Sequence, residues 1–219
     1  MRTFLCFLVV VAPALAQPSV GVKAGLNVAN LVYDDGDGFD FDPGARLGIV
    51  GGLTVDVPVS PVLGVRIEAL YAQKGWRDET WVLVGPIDNP AEVDGTITLE
   101  LDYLEVPVLA NVSVPTGSAL EIGVQAGVAP AFILRDGIGC SGFESDGFDV
   151  CAESDDDDVD FESFDLGAVI GATVGSGPFA VDLRYTHGLS NLADDEITSS
   201  DFSIRNRVFS ITGVYRFGR

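Results

Sequence analysis

The residues of this sequence that could do nucleophilic or acid–base chemistry surround its single histidine, His187. Ser190 and Asp194 follow closely, and a serine, a histidine and an acid are the residue types that acyl transfer needs. No spacing rule links these three residues, because such a triad is defined by geometry in the fold. His187 also lies near the end of an alternating segment, where an amphipathic ring suits a membrane interface. We therefore expect an interfacial role for His187 and no catalysis.

Two acidic segments suggest cation binding. The stretch "DDGDGFDFD" from Asp34 lacks the order of aspartates and the closing glutamate of a calcium loop, and "DDDD" at 155–158 has no calcium-loop pattern either. Loose binding of divalent cations stays an alternative, but the pattern favours a solvated acidic surface. We expect no metal site and no cofactor.

The N-terminus has the organisation of an export signal. Arg2 precedes an apolar run from Phe4 to Ala12, and Ala14-Leu15-Ala16 matches a small-residue cleavage site. We predict a signal peptide at 1–16 and one mature domain at 17–219. Removal of the signal also removes Cys6.

Cys140 and Cys151 then remain, outside the reducing cytosol. An acidic, glycine-containing segment separates them, which favours a disulfide that pins a loop over two free thiols. Metal binding is disfavoured because neither cysteine has neighbouring His or Cys ligands.

Composition indicates that apolar and acidic residues are segregated. Hydrophobic residues make up 47% of the 219 positions, yet the formal net charge is −21. Such a negative surface repels nucleic acid phosphates and anionic lipid headgroups, so we expect neither as an electrostatic partner.

Apolar residues recur with period two, which is typical of β-strands. In "VDLRYTHGL" from Val181, one parity is apolar and the other carries Asp182 and Arg184. In the 99–114 segment the apolar phase shifts at Tyr103–Leu104, which predicts a β-bulge, and Pro107 predicts a second irregularity. Eight strands are predicted, at 20–28, 45–57, 65–74, 99–114, 120–132, 164–174, 181–189 and 209–217.

Short and long connections alternate strictly between these strands, and most of the 33 acidic residues fall in the long ones. Strands that cross a membrane must close into a barrel to satisfy their backbone groups. We therefore predict an all-β fold, an eight-stranded antiparallel up-and-down transmembrane β-barrel with short periplasmic turns and long acidic extracellular loops, in the outer membrane.

The polar parity of the strands then faces the barrel interior, where eight strands leave room only for side chains. Charges of both signs occur there in comparable number, which predicts an ion-paired lumen and no pore. The predicted lumen residues are Lys23, Arg46, Arg66, Glu68, Lys74, Glu105, Glu121, Asp165, Asp182, Arg184 and Arg216.

A soluble lipocalin or β-sandwich would show the same alternation with the apolar side inward. Three features favour lipid outside: long strands, a polar parity rich in glycine, and aromatic residues near strand ends. The aromatic residues are Tyr71, Trp76, Phe132, Tyr185 and Phe217.

Several segments together resemble the PorT-like family of outer-membrane β-barrels found in Bacteroidetes. "GVKAGLNVANL" from Gly21 resembles the family's first strand, "YLEVPVLANV" from Tyr103 its Tyr-Leu-Glu-aliphatic-Pro signature, and "DLRYTHGLSNL" with "RNRVFSITGVYRF" its last two strands. The resemblance implies an outer-membrane barrel whose terminal aromatic strand is read by the barrel-assembly machinery. Here Gly218 and Arg219 follow Phe217, a departure from an aromatic terminus.

We therefore expect a monomeric barrel in outer-membrane lipid, with a structural or interaction role through its acidic loops. An accessory component of a secretion or adhesion complex, with an extracellular protein partner, is one alternative. A lipid-modifying enzyme is a less favoured alternative.

Overall fold

A computed structural model describes residues 17–34, 43–84, 91–114, 116–145, 148–149, 151, 163–192 and 203–218. The predicted signal peptide lies outside these residues and stays a prediction. Across the described ranges, the chain has no helix with the length and apolarity needed to cross a bilayer. The strands are β1 (Ser19–Asp34), β2 (Arg46–Pro58), β3 (Leu63–Val84), β4 (Ala91–Glu105), β5 (Val108–Val114), β6 (Leu120–Ser141), β7 (Glu144–Ser145), β8 (Phe148–Asp149), β9 (Phe164–Ser176), β10 (Phe179–Gly188) and β11 (Ser203–Arg216).

Nine of these strands close into a ring, and β7 and β8 form a separate two-stranded sheet. Each pairs antiparallel with its neighbours, and β1 pairs with both β2 and β11, which joins the first strand to the last. Val106 and Pro107 separate β4 from β5, and both pieces lie between β3 and β6, so they occupy one position of the ring. The prediction of an eight-stranded up-and-down barrel is confirmed, including an irregularity at Pro107.

The two ends of the barrel differ in their connections. The chain turns through 59–62, 115–119 and 177–178 at one end, the turn end. At the other end, the loop end, it passes through 35–45, 85–90, 142–163 and 189–202. This asymmetry is the one expected of an outer-membrane barrel, with the loop end outside the cell.

The two faces of the sheet have the polarity that a membrane requires. On the outer face Leu47 is 65% exposed and Phe209 62%. On the inner face Lys23, Arg66 and Asp182 are buried. The structure therefore excludes the lipocalin alternative, in which the apolar parity would point inward.

Glycine on the inner face allows the barrel to be narrow. A Cβ built on Gly25 of β1 would lie 2.0 Å from the carbonyl oxygen of Ile211 on β11. Only hydrogen fits there, which explains why glycine recurs on the inner face.

The predicted β-bulge is present one residue from Tyr103–Leu104, but the predicted change of face within the strand is wrong. Side chains of β4 keep one alternation throughout, with Leu101 and Tyr103 buried inside and Leu104 exposed outside. The register with β6 does shift between Asp102 and Tyr103, and the extra residue is Leu134 on β6. The apolar residues change parity because the interior of the barrel itself becomes apolar toward the loop end. Each side chain of β4 still lies on the face that regular alternation gives it.

The barrel continues beyond the predicted strand ends. Residues 77–84, 92–101 and 135–141 belong to β3, β4 and β6 and form a three-stranded sheet at the loop end, which we call the extension. The second long loop predicted from the sequence is therefore mostly strand. Trp76 at its base is not an interfacial aromatic as predicted, since it packs against an interior apolar cluster.

The predicted disulfide between Cys140 and Cys151 is confirmed, with the two Cα atoms 5.5 Å apart. It ties the end of β6 to the following segment. Nearby, the buried ring of Phe143 packs against Gly95 of β4. A Cβ on residue 95 would lie 2.5 Å from that ring, so the ring fits only because residue 95 is glycine.

We expect the double variant Cys140→Ser/Cys151→Ser to be cleaved faster than wild type by a Glu-specific protease at Glu144 or Glu153. The disulfide restrains a local segment outside the barrel wall, so the barrel's mobility on unheated gels should not change. Reduced wild type is the matched control and should behave like the variant. Equal cleavage rates for oxidised and reduced wild type would contradict this restraint.

Candidate functional site

A buried ionic cluster fills the middle of the barrel. Arg184 of β10 lies between two carboxylates: its Nη1 and Nη2 donate to Glu68 at 2.5 and 2.8 Å, and its Nε and Nη2 donate to Asp182 at 3.0 and 2.9 Å. Lys23 of β1 bridges the same carboxylates at 3.4 and 3.2 Å. The strands β1, β3 and β10 are thereby linked across the lumen.

Arg66 extends this cluster toward the turn end. Its Nη1 donates to Asp182 at 3.1 Å, while Nε and Nη2 donate to Asp56 at 2.7 and 3.2 Å. Gln125 of β6 donates to Asp182 at 2.7 Å. We call the set Lys23, Asp56, Arg66, Glu68, Gln125, Asp182 and Arg184 the ionic centre. Three cations and three carboxylates balance within it.

Toward the loop end, a second polar group surrounds Lys74. Its Nζ lies 2.5 Å from Glu105 and 3.9 Å from Asp165, and 4.4 Å from the centre of the Tyr103 ring. Asn206 donates to Asp165 at 2.8 Å and to the Tyr103 hydroxyl at 3.1 Å. Each charge in this layer therefore has an opposite charge close by.

Above Lys74 the lumen becomes apolar. A cluster of buried apolar residues fills it there, and we call this cluster the lid: Leu31, Leu99, Leu101, Tyr103, Ala131, Leu192 and Ile204. Trp76 and Ile133 pack against the lid. These side chains come from β1, β4, β6 and β11 and from the segment after β10. An apolar layer of this kind leaves no polar path along the axis.

Arg46 and Glu121, predicted in the lumen, lie at its two mouths. Arg46 pairs with Glu100 at 3.0 Å near the loop end, and its Nη1 donates to the Lys74 carbonyl at 2.6 Å. Glu121 pairs with Arg216 at 3.0 Å at the turn end, where its side chain is 48% exposed. The structure places the other predicted residues inside the barrel.

Four further residues belong to the polar network of the lumen and are absent from the predicted set: Asp56, Gln125, Tyr103 and Asn206. Asp56 and Gln125 occupy the polar parity of strands that were predicted correctly, so that parity was a sufficient signal. Tyr103 was assigned to the apolar pattern, and Asn206 lies in a part of β11 that was predicted as loop.

The cavity inside the barrel is divided. A mouth of about 610 Å³ opens at the turn end and is bounded by Arg66, Thr173 and Arg216. Between Lys23, Glu105 and Arg184 only about 20 Å³ remains. Side chains thus close the described part of the lumen.

His187 and Ser190 have different partners in the structure. The His187 ring lies on the outer face, half-buried, with Nδ1 3.3 Å from the Tyr185 hydroxyl. The Ser190 hydroxyl accepts a hydrogen bond from the Leu166 amide at 2.9 Å. Asp194 lies outside the described residues. Among the described residues, no group of three His, Cys, Asp or Glu side chains could hold a metal ion.

The chain is similar in fold to small outer-membrane proteins of known structure. It matches Ail, the attachment invasion locus protein of Yersinia pestis, with 14% identity and a TM-score of 0.39, over 92% of this chain and 100% of that one. It matches OprG of Pseudomonas aeruginosa with 13% identity and a TM-score of 0.48, over 92% and 96%. It matches Neisserial surface protein A with 13% identity and a TM-score of 0.44, over 92% and 100%. No curated protein sequence matches the chain.

The model of one protein family covers most of the sequence. The "Outer membrane protein beta-barrel domain" model matches residues 15–194. The barrel, its apolar outer face and its location in the outer membrane agree with that match. The chain therefore belongs to the outer membrane protein beta-barrel domain family.

Proposed function

We propose that this protein is a non-conducting, non-catalytic outer-membrane barrel that anchors its acidic extension and loops at the cell surface for interaction with a partner. The observation that carries the proposal is the closure of the lumen by the ionic centre and the lid. A chain that conducted solutes would need a continuous aqueous path, and a barrel of eight strands is filled by its own side chains.

Ion pairing across the lumen supports a structural role for the interior. The predicted lumen residues inside the barrel contact one another and leave no carboxylate of the ionic centre without a cation. Removal of charges from water is costly, and only good geometry and additional hydrogen bonds offset that cost. We therefore assign the lumen residues to barrel stability and not to transport.

The extension supports the interaction role. Its outer face carries exposed apolar side chains, with Trp81 55% and Leu83 59% exposed. Acidic residues, among them Glu79 and Asp94, accompany them on β3 and β4. A rigid sheet with apolar and acidic groups suits a protein partner better than lipid, since it projects beyond the lipid-facing band.

The finer identity is part of this proposal. The motifs at Gly21 and Tyr103 support a PorT-like member, assembled by the barrel-assembly machinery through its terminal aromatic strand. An accessory role in a secretion or adhesion complex would use the same extension. We propose a monomer, since the described strands close on themselves and leave no barrel seam for a second copy.

The wild-type protein, reconstituted in a planar bilayer, is expected to show no stable conductance steps. The lid and the layer around Lys23, Glu105 and Arg184, where the cavity holds about 20 Å³, block hydrated ions. A general porin inserted in the same membrane serves as the positive control. Regular steps of porin size from the purified chain would refute the closed lumen.

A further inference from the structure

Some basic residues of this acidic protein face outward. The sequence contains 12 Lys and Arg residues. Six lie in the lumen or at its mouths, and Arg2 and Arg219 fall outside the described residues. The remaining four are exposed on the outer face of the barrel and extension: Arg77, Arg135, Arg205 and Arg207.

Arg205 and Arg207 lie on β11 just beyond the lipid-facing band. Phe209, the next outward residue toward the turn end, is 62% exposed and lies 4.8 Å from Tyr185, ring centre to ring centre. Aromatic residues of this kind mark the boundary between hydrocarbon and headgroups. Arg207 is about 7 Å further along the strand, at the depth of the headgroups.

No acidic residue lies directly opposite Arg207 on either neighbouring strand. Its partner on β10 is His187 and its partner on β1 is Asn30, while Val32 is the partner of Arg205. In the portions of the chain that the structure describes, neither arginine forms an ion pair. Arg135 differs, since Asp102 lies directly opposite it.

His187 adds a third polar group to the same face. Directly opposed residues on neighbouring strands have Cβ atoms about 5 Å apart, so His187 and Arg207 occupy adjacent positions on the outer face. When the Tyr185 hydroxyl donates to Nδ1, Nε2 carries the ring hydrogen and can donate outward.

We propose that Arg205, Arg207 and His187 bind the phosphate groups of anionic lipid headgroups in the outer leaflet. Guanidinium groups bind phosphate oxygens with two parallel hydrogen bonds. The strongly negative net charge predicts repulsion of such headgroups, but that charge is screened over about 8 Å in physiological salt. The residues directly opposite the two arginines, His187, Asn30 and Val32, carry no carboxylate.

The test is native mass spectrometry of the purified barrel in neutral detergent, titrated with diphosphorylated lipid A or with the same lipid after dephosphorylation. Wild type is expected to prefer the phosphorylated lipid. Arg205→Gln/Arg207→Gln should weaken binding of that lipid about 25-fold, because each of the two basic groups contributes about one factor of five at a membrane surface. Arg77→Gln/Arg135→Gln, with the same change in net charge, should bind as wild type does.

Three results would overturn the assignment: equal wild-type affinity for both lipids, a loss below about twofold in the β11 variant, or an equal loss in the control variant. A fourth result, displacement of the lipid by millimolar inorganic phosphate, would assign these residues to free phosphate and would overturn the lipid proposal. Both arginines lie outside the lumen, so folding should persist. Should the double variant fail to fold, Arg207→Gln compared with Arg77→Gln gives the same test.

Discussion

Asp182→Asn is expected to destabilise the folded barrel by about 3 to 5 kcal/mol, the cost typical of removing one partner from a buried ion pair. Asp182 is fully buried and accepts hydrogen bonds from Arg66, Gln125 and Arg184, with Lys23 at 3.2 Å. The substitution keeps the shape of the side chain and leaves the three cations of the ionic centre with two carboxylates. The measurement is reversible urea unfolding in lipid vesicles, followed by tryptophan fluorescence and by gel mobility without heating.

Two controls separate charge balance from packing in that experiment. Glu121→Gln removes a carboxylate from the half-exposed pair with Arg216, and its effect should stay within about 1 kcal/mol. Adding Lys23→Met to Asp182→Asn restores neutrality and should recover part of the lost stability. If Asp182→Asn costs no more than Glu121→Gln, the ionic centre does not stabilise the barrel.

Leu101→Ala is expected to destabilise the barrel by about 2 to 5 kcal/mol, because a fully buried leucine leaves a cavity in the lid. Leu101 lies on the inner face of β4, among side chains from several other strands. The loss should therefore appear in the unfolding of the whole barrel. Urea unfolding as above measures it.

Leu83→Ala is the matched control for the lid. Leu83 lies on β3 in the extension and is 59% exposed, so its truncation should change the unfolding free energy by less than about 0.5 kcal/mol. The lid variant also tests the lumen in a second way, since a thinner apolar layer should increase the leakage of small ions in bilayers. Equal destabilisation by Leu101→Ala and Leu83→Ala would mean that the lid does not act as a core.

The middle of the barrel was predictable from the sequence because two local rules agree there. Alternation with period two fixes which side chains share a face, and tight turns fix antiparallel neighbours. The alternation in β10 therefore indicated a polar interior and a lipid-facing exterior, since Asp182 and Arg184 share one face and Val181 and Leu183 share the other. The disulfide between Cys140 and Cys151 was predictable from the expected export signal together with the number of cysteines left in the mature chain.

The loop end was less predictable because the environment of each face changes along the strand. Inside the barrel, Leu99, Leu101 and Tyr103 pack together as an apolar core. Outside it, the strands leave the hydrocarbon and face water, so polar side chains occur on that face. The apolar residues therefore change parity, which resembles a phase shift in the sequence. Trp76 was misplaced for the same reason.

The sequence by itself determined the barrel, its strand order and the set of charges that must face inward, since these depend on residue type and local spacing. Only the tertiary structure decided which charge meets which. Arg184, Glu68 and Lys23 come from three strands that are far apart in the chain, and their pairing depends on the shear of the closed ring. The register between β10 and β11 places His187 opposite Arg207, and the long 189–202 connection leaves that register unreadable from sequence spacing.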